Sequence, residues 1–156
     1  MLQMAQMETV SPKLIVLDFE DLSAFECVTV QYRHLGVCFG NAIALEPSNP
    51  IFRTDSGSSV LIPMENQTSL CAYFDKPTCL VGAFVCGTRI ISLKAFDRDG
   101  NLLGQTSTVA SQTNSSDGQA ESLGGQLQLN KRDIARVEFH SWMPFTVDNF
   151  FFAIVH

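Results

Sequence analysis

The chain has 156 residues, a length at which one hydrophobic core is sufficient because a domain of this size buries roughly 70% of its unfolded-chain surface. Apolar residues make up 46% of it and twelve residues are Phe, which excludes a disordered chain. Sixteen acidic and ten basic residues give a net charge of −6, which disfavours a nucleic-acid partner. The nearest basic group, Lys131-Arg132 with Arg136, is too sparse for a phosphate-binding surface and is interpreted as a solvated loop.

Short apolar runs rich in β-forming residues recur along the whole chain, and turn residues bound them. No long segment has the 3.6-residue periodicity of a capped helix. The sequence therefore predicts an all-β antiparallel sandwich in one domain over 1–156, with residues 1–12 as an N-terminal arm. The predicted strands are 14–19, 27–30, 59–62, 68–74, 79–86, 89–96, 134–140 and 146–155.

The clearest predicted hairpin joins 90–96 to Leu102-Leu103 through 97–101, because Asp99-Gly100 supplies the positive φ that closes a tight turn. The spacing of the acidic residues in this turn resembles the start of an EF-hand loop, but the twelfth position of such a loop would be Thr108 instead of Glu. Further on, the Ser/Thr/Gln/Gly-rich segment 106–126 predicts a long polar loop or a strand extension.

The five cysteines are an odd number and too few for a disulfide scaffold, so at least one thiol is free. Cys27, Cys38 and Cys86 are expected to behave as small apolar core residues. A turn centred on Lys76-Pro77 would keep Cys71 and Cys79 apart, whereas a turn centred on Asp75 would bring their sulfurs face to face.

No stretch of the sequence is long and apolar enough to span a membrane, so no membrane span is predicted. The opening residues 1–7 lack the basic flank and the unbroken apolar stretch of a signal peptide. Either a cytosolic location or a processed start is therefore expected.

Acidic residues lie near both ends of the chain, where the first and last strands of a jelly roll often lie side by side. Period-two alternation places Asp18 and Glu20 on one face of the first strand, and Asp148 in the last strand would add a third carboxylate. An oxygen-only cluster of this kind suits Ca²⁺. The alternative is that Asp18 and Glu20 lie on the solvated face of an edge strand and that Asp148-Asn149 is a bulge.

Five segments carry a resemblance to a known class of domain: Asp18–Leu22, Tyr32–Gly36, Arg89–Gly104, Val137–Phe139 and Val147–Phe152. Their order is similar to that of calcium-stabilised carbohydrate-binding-module-like jelly rolls, including domains of bacterial and notably cyanobacterial extracellular proteins. The resemblance implies a jelly-roll, galactose-binding-like sandwich with a structural calcium on Asp18, Glu20 and Asp148. It also favours an extracellular location.

A sugar site needs aromatic faces that stack on pyranose rings and polar groups that bond hydroxyls. Trp142, Tyr73 and Tyr32 are the candidates, and Trp142 is the strongest because Pro144 interrupts the strand beside it. The alternative is that these aromatic residues belong to the core or cover an edge.

Enzyme signatures are weak in this sequence. It contains neither a Cys-x-x-Cys nor a His-x-His zinc pattern, and it has no phosphate-binding glycine loop or Gly-x-Ser-x-Gly elbow. We therefore expect a non-catalytic binding module with saccharide as its partner. The rival hypothesis is a structural subunit that assembles with copies of itself in a fibre, coat or appendage.

Overall fold

The computed structural model describes residues 12–49, 52, 54, 57–109 and 123–155. These residues form ten β-strands and one 3-10 turn at Arg33–Leu35, which confirms the predicted all-β antiparallel sandwich. The strands are β1 (Lys13–Leu17), β2 (Cys27–Val28), β3 (Val37–Gly40), β4 (Ala42–Leu45), β5 (Val60–Pro63), β6 (Ser69–Gly87), β7 (Ser92–Phe96), β8 (Leu102–Ser107), β9 (Leu123–His140) and β10 (Phe145–Ile154).

Two long strands, β6 and β9, run through both layers of the sandwich. The first part of β6 pairs with β3, and its second part, from Thr78 onward, pairs with β10. Strand β9 follows β6 through both parts, from Leu123 opposite Gly87 to His140 opposite Ser69. Register shifts between Tyr73 and Thr78 mark the place where the paired strands pass from one layer to the other.

The first layer has the strand order β3-β6-β9-β7-β8. The second layer contains the other parts of β9 and β6, followed by β10. Beyond β10, the strands β5, β4 and β2 continue from its first half, and β1 pairs with its second half. The first strand therefore lies beside the last, as predicted, with Lys13 opposite Ile154 and Leu17 opposite Phe150.

The core lies between the two layers and is rich in aromatic rings. Phe150 of β10 is fully buried, and its ring lies 5.2 Å from that of Phe39, 6.2 Å from that of Phe74 and 6.3 Å from that of Phe139, measured between centroids. The three partner rings belong to β3, β6 and β9 of the opposite layer. Edge-to-face and offset pairs of this kind add to the stability that burial provides.

The predicted hairpin is confirmed in β7 and β8. Ser92 pairs with Ser107 and Phe96 with Leu102, and Gly100 has a φ of +85°. The Asp97 carboxylate accepts hydrogen bonds from the backbone N–H groups of Asp99 and Asn101. The Asp-Gly turn therefore has the local bonding that such a turn requires.

Other predictions of local structure need correction. Lys76-Pro77 does not form a turn, because β6 continues through it at the register shift, where a proline without an N–H donor is tolerated. Cys27 is exposed and Cys38 is only partly buried, so neither is a core residue, whereas Cys86 is buried as predicted. All five cysteines are free thiols.

The predicted polar segment 106–126 is partly strand. Residues 106–107 belong to β8 and residues 123–126 belong to β9, so both ends extend strands, as one of the two interpretations expected. Residues 110–122 and most of the predicted arm, residues 1–11, lie outside the described residues. Within the described part of the chain, no helix has the length and apolar character needed to cross a membrane.

Candidate functional site

The structure does not bring the three predicted calcium ligands together. Strand β1 ends at Leu17, and the Asp18 carboxylate accepts a hydrogen bond from the Glu20 N–H in a turn, so the predicted common strand face of Asp18 and Glu20 is wrong. Asp148 is only 1% exposed, and a register shift follows it in β10, which confirms the interpretation of Asp148-Asn149 as a bulge.

A metal site built from side chains needs several ligating groups close together. The described residues contain no group of three or more His, Cys, Asp or Glu side chains arranged to hold a metal ion. The predicted ligands thus do not fit a three-carboxylate calcium site. Calcium stays a prediction that rests on the sequence alone.

Glu20 has a different role in the structure: it anchors a loop. Its carboxylate accepts hydrogen bonds from the Ser59 N–H at 2.7 Å and the Ser58 N–H at 3.0 Å. Gly57, with a φ of +66°, leaves the space that the carboxylate occupies, because a Cβ there would lie 2.5 Å from the Glu20 Cδ. Glu20 therefore ties the turn after β1 to the residues that lead into β5.

We expect Glu20→Gln to lower the free energy of unfolding by about 1–2 kcal/mol, because the amide group would replace one charged acceptor with a donor that faces a backbone N–H. Hydrogen exchange should accelerate at the Ser58 and Ser59 amides. Glu65→Gln, an exposed change of the same kind, is the control. Equal exchange rates in wild type and Glu20→Gln would contradict the anchoring role.

Tyr32, a predicted sugar-stacking residue, is buried. It is 5% exposed, its ring packs against Phe19 and Phe39, and its hydroxyl donates a 2.6 Å hydrogen bond to the Asp21 carboxylate. Burial, followed by the interaction with Asp21, raises the pKa of the Tyr32 hydroxyl well above its ordinary value. The prediction that Tyr32 contacts a ligand is wrong because its ring has no face open to solvent.

The other two predicted residues lie on the outward side of the first layer. In β6, β9 and β7 the residues that point into the core, such as Ala72, Val137 and Ala95, are fully buried and pair with one another across the sheet. Their neighbours in sequence point outward by the alternation of a strand. We call these outward side chains, together with the end of β9, the polar–aromatic face; it comprises Tyr73, Lys94, Phe96, Arg136, Glu138, His140 and Trp142.

Tyr73 lies on the β3 side of the polar–aromatic face. It is 46% exposed, and its ring lies over Gly40 of β3, where a Cβ would come within 3.1 Å of the ring. The absence of a side chain at Gly40 thus leaves room for the ring to lie against the strand. One face of a rigid aromatic ring is held by the sheet while the residue stays accessible to a ligand.

Arg136 occupies the middle of the face. It pairs in register with Tyr73 on one side and with Phe96 on the other. Its guanidinium carbon lies 4.1 Å from the centroid of the Phe96 ring, and Nη1 lies 3.6 Å from the Glu138 carboxylate. Glu138 in turn accepts a 3.1 Å hydrogen bond from the Ser69 hydroxyl. These contacts fix the orientation of the central charged groups before any ligand arrives.

Trp142 marks one end of the face, directly after β9. It is 78% exposed, and its ring meets the His140 ring edge to face at a centroid distance of 4.8 Å. His140 stands opposite Ser69 and Ser92 in the outward row of the sheet. Trp142 is therefore an exposed aromatic platform joined to the polar–aromatic face through His140.

Cys71 lies on the same face, opposite Glu138. Burial raises the pKa of the Cys71 thiol, and the charge of Glu138 raises it further. A raised pKa keeps the sulfur in the neutral thiol form, whereas a nucleophilic cysteine needs the thiolate. The face therefore offers no activated nucleophile at this position.

The outward side of the second layer carries a different surface. An apolar groove of about 440 Å³ lies there, with Phe25, Leu45, Phe52, Ile62 and Met64 among its lining residues. Phe25 is 75% exposed. This groove has few of the convergent polar groups that recognise hydroxyls, so the polar–aromatic face is the better candidate for a sugar.

Sequence reasoning missed most of this site. Arg136 falls in the predicted strand 134–140, but its grouping with Lys131-Arg132 as a solvated loop assigns it no role; the structure places it within β9. Lys94 and Phe96 were assigned to a strand without a role. The alternation of polar and apolar residues in 92–96 and 136–140 was the available signal, since it places Lys94, Phe96, Arg136 and Glu138 outward.

Comparison with known proteins supports the fold. No family model matches the sequence, and no curated protein is similar to it. Among solved structures, the K2 cleaved adhesin domain of Lys-gingipain is similar, with a TM-score of 0.58 and 9% identity over 91% of this chain and 98% of the other. The two chains share a fold.

Two further structures are similar over most of their length. The K1 cleaved adhesin domain of Lys-gingipain from Porphyromonas gingivalis W83 has a TM-score of 0.50 and 13% identity, over 92% of this chain and 99% of the other. A variant of a family 29 carbohydrate-binding module has a TM-score of 0.47 and 9% identity, over 92% of both chains. At these identities the likeness to the adhesin domains concerns the fold alone.

Proposed function

We propose that this protein is a non-catalytic binding module that binds saccharide on the polar–aromatic face. The observation that carries the proposal is the outward row in which Tyr73, Arg136 and Phe96 stand side by side on three paired strands. Tyr73 offers an aromatic surface for the apolar side of a sugar ring. The guanidinium of Arg136 and the carboxylate of Glu138 offer donors and acceptors for its hydroxyl groups.

The shape of the face suits an extended ligand. This layer has five strands in the order β3-β6-β9-β7-β8. Neighbouring strands lie about 4.8 Å apart, so the face is roughly 19 Å wide. Side chains mounted on strands keep a more accurate geometry than side chains on loops. A chain of several sugar units lying across the strands would meet Tyr73, Arg136 and the β7–β8 edge in turn.

The carboxylates of the face favour binding over glycoside hydrolysis. Hydrolysis commonly requires two carboxyl groups separated by roughly 5–9.5 Å. Among the described residues of this face, Glu138 stands opposite Cys71 of β6. The next carboxylate belongs to Asp75, which lies four residues after Cys71 along β6, a backbone distance of about 13 Å. This pair does not match the spacing that a glycosidase uses.

The proposal is tested by measuring the binding of a panel of soluble oligosaccharides, either by calorimetry or on a glycan array. We expect Tyr73→Ala and Trp142→Ala each to weaken binding about tenfold or more, with the melting temperature little changed, because both rings are exposed. Phe25→Ala is the matched control, since it removes an exposed aromatic ring from the other layer. The proposal fails if wild type binds nothing in the panel, or if all three variants weaken binding equally. Self-assembly stays a prediction from the sequence.

A further inference from the structure

We infer that the polar–aromatic face selects saccharides that carry carboxylate groups, such as chains of uronic acids. This inference rests on the proposed function, because it names the class of sugar for the same surface. It follows from the balance of charges on the face and from the geometry of its central cation.

Positive charge predominates at the centre of the face. Lys94 and Arg136 both point outward from neighbouring strands, and Glu138, which stands opposite Lys94, is the one carboxylate between them among the described residues. Asp75 lies at a corner, where its N–H donates to the Gly36 carbonyl before β3. Two cations and one carboxylate give the centre of the face a net positive charge, although the whole chain has a net charge of −6.

Lys94 forms no close ion pair with Glu138, the carboxylate opposite it. The described residues contain a single ion pair, and it joins Arg136 to Glu138, so Lys94 has no carboxylate partner among them. Lys94 and Arg136 are diagonal neighbours on paired strands, about 7–8 Å apart at the backbone. One ligand carboxylate can reach both side chains from this arrangement.

Arg136 keeps donors available for a ligand. Its guanidinium is fixed over the Phe96 ring, and the 3.6 Å distance to Glu138 is longer than the roughly 2.7–2.9 Å of a charge-assisted hydrogen bond. Its other polar neighbours include the weakly bonding sulfur of Cys71 and the hydroxyl of Tyr73. A planar fork with five N–H donors and a fixed orientation is suited to a carboxylate, which it can bind through two parallel hydrogen bonds.

The net charge of the whole chain would repel a polyanion, but at physiological ionic strength the repulsion from charges more than about 8 Å away is largely screened. Contacts on the face are closer than this distance. The local pair of cations therefore decides whether an acidic sugar is accepted.

The experiment uses oligosaccharides in matched pairs. Oligogalacturonate, oligoglucuronate and oligomannuronate are each compared with their methyl esters, which remove the charge and keep the backbone, and neutral oligosaccharides complete the set. Affinities are measured by calorimetry for wild type, Lys94→Gln, Arg136→Gln and Lys13→Gln. Lys13→Gln is the control, because it removes an exposed cation from the second layer. Circular dichroism checks that each variant is folded.

We expect at least one free acid to bind about tenfold or more tightly than its ester, with the preference lost in Lys94→Gln and Arg136→Gln and kept in Lys13→Gln. If Arg136→Gln does not fold, the preference for the free acid is judged from Lys94→Gln alone. Esters or neutral sugars that bind as well as the acids would overturn the inference and leave the proposed function standing. A preference that survives both substitutions also overturns it. Absence of binding to every sugar overturns the proposed function itself.

Discussion

Phe150→Ala is expected to lower the free energy of unfolding by about 3–5 kcal/mol, the cost of removing a fully buried phenyl ring and leaving a cavity. Phe150 is the ring of β10 that packs against Phe39, Phe74 and Phe139 of the opposite layer. Its loss would remove one ring from four aromatic pairs at once, because Phe150 also contacts Phe152 of its own strand. The melting temperature should fall by roughly 6–20 °C, measured by calorimetry or circular dichroism.

Phe25→Ala provides the comparison for this prediction. It makes the same chemical change at a residue that is 75% exposed, and we expect it to change stability by less than about 0.5 kcal/mol. A similar loss of stability in both variants would mean that Phe150 does not join the two layers as the ring contacts indicate.

Gly82→Ala is expected to lower the free energy of unfolding by about 1–3 kcal/mol through overpacking. Gly82 lies in β6 on the outward side of the second layer, and a Cβ there would lie 2.3 Å from the Phe151 Cζ and 2.5 Å from the Leu127 carbonyl oxygen. The phenyl ring could turn aside, but the carbonyl belongs to the backbone of the paired strand β9. Thermal or urea unfolding measures the effect.

A double-mutant cycle separates the two contacts of Gly82. In a Phe151→Ala background the clash with the ring is absent and the clash with the Leu127 carbonyl remains. The cost of Gly82→Ala should therefore be smaller in this background but should not vanish. An unchanged cost would show that the Phe151 ring does not restrict this position.

Local patterns in the sequence were sufficient for the fold class and for one hairpin. The alternation in 92–96 and the Asp99-Gly100 turn depend on neighbouring residues, and both appear in the structure. The continuous path of β6 through Lys76-Pro77 was not predicted, because a proline after polar residues ordinarily indicates a turn. The segment is one strand because it pairs with β9 on both sides of Pro77, with β3 before it and with β10 after it.

For the candidate site, the sequence indicates single residues but not the cluster that strand pairing brings together. Trp142 and Tyr73 are both exposed, and the sequence signal is clearer for Trp142, because Pro144 interrupts the strand beside it. Tyr32 has the same chemistry, but its hydroxyl binds Asp21 within the folded core. The cluster of Lys94, Phe96 and Arg136 forms only through pairing between β7 and β9, so no local pattern brings its members together.

The passage of β6 and β9 through both layers also has a consequence for the order in which the protein folds. Ser69 pairs with His140, and Lys13 of β1 pairs with Ile154 of β10, so both layers depend on contacts between residues far apart in the chain. A high contact order of this kind slows folding, because the entropy of closing long loops is lost before the pairing energy is gained. During synthesis, β1 to β8 would wait for β9 and β10, and their apolar faces would need protection from aggregation until those strands leave the ribosome.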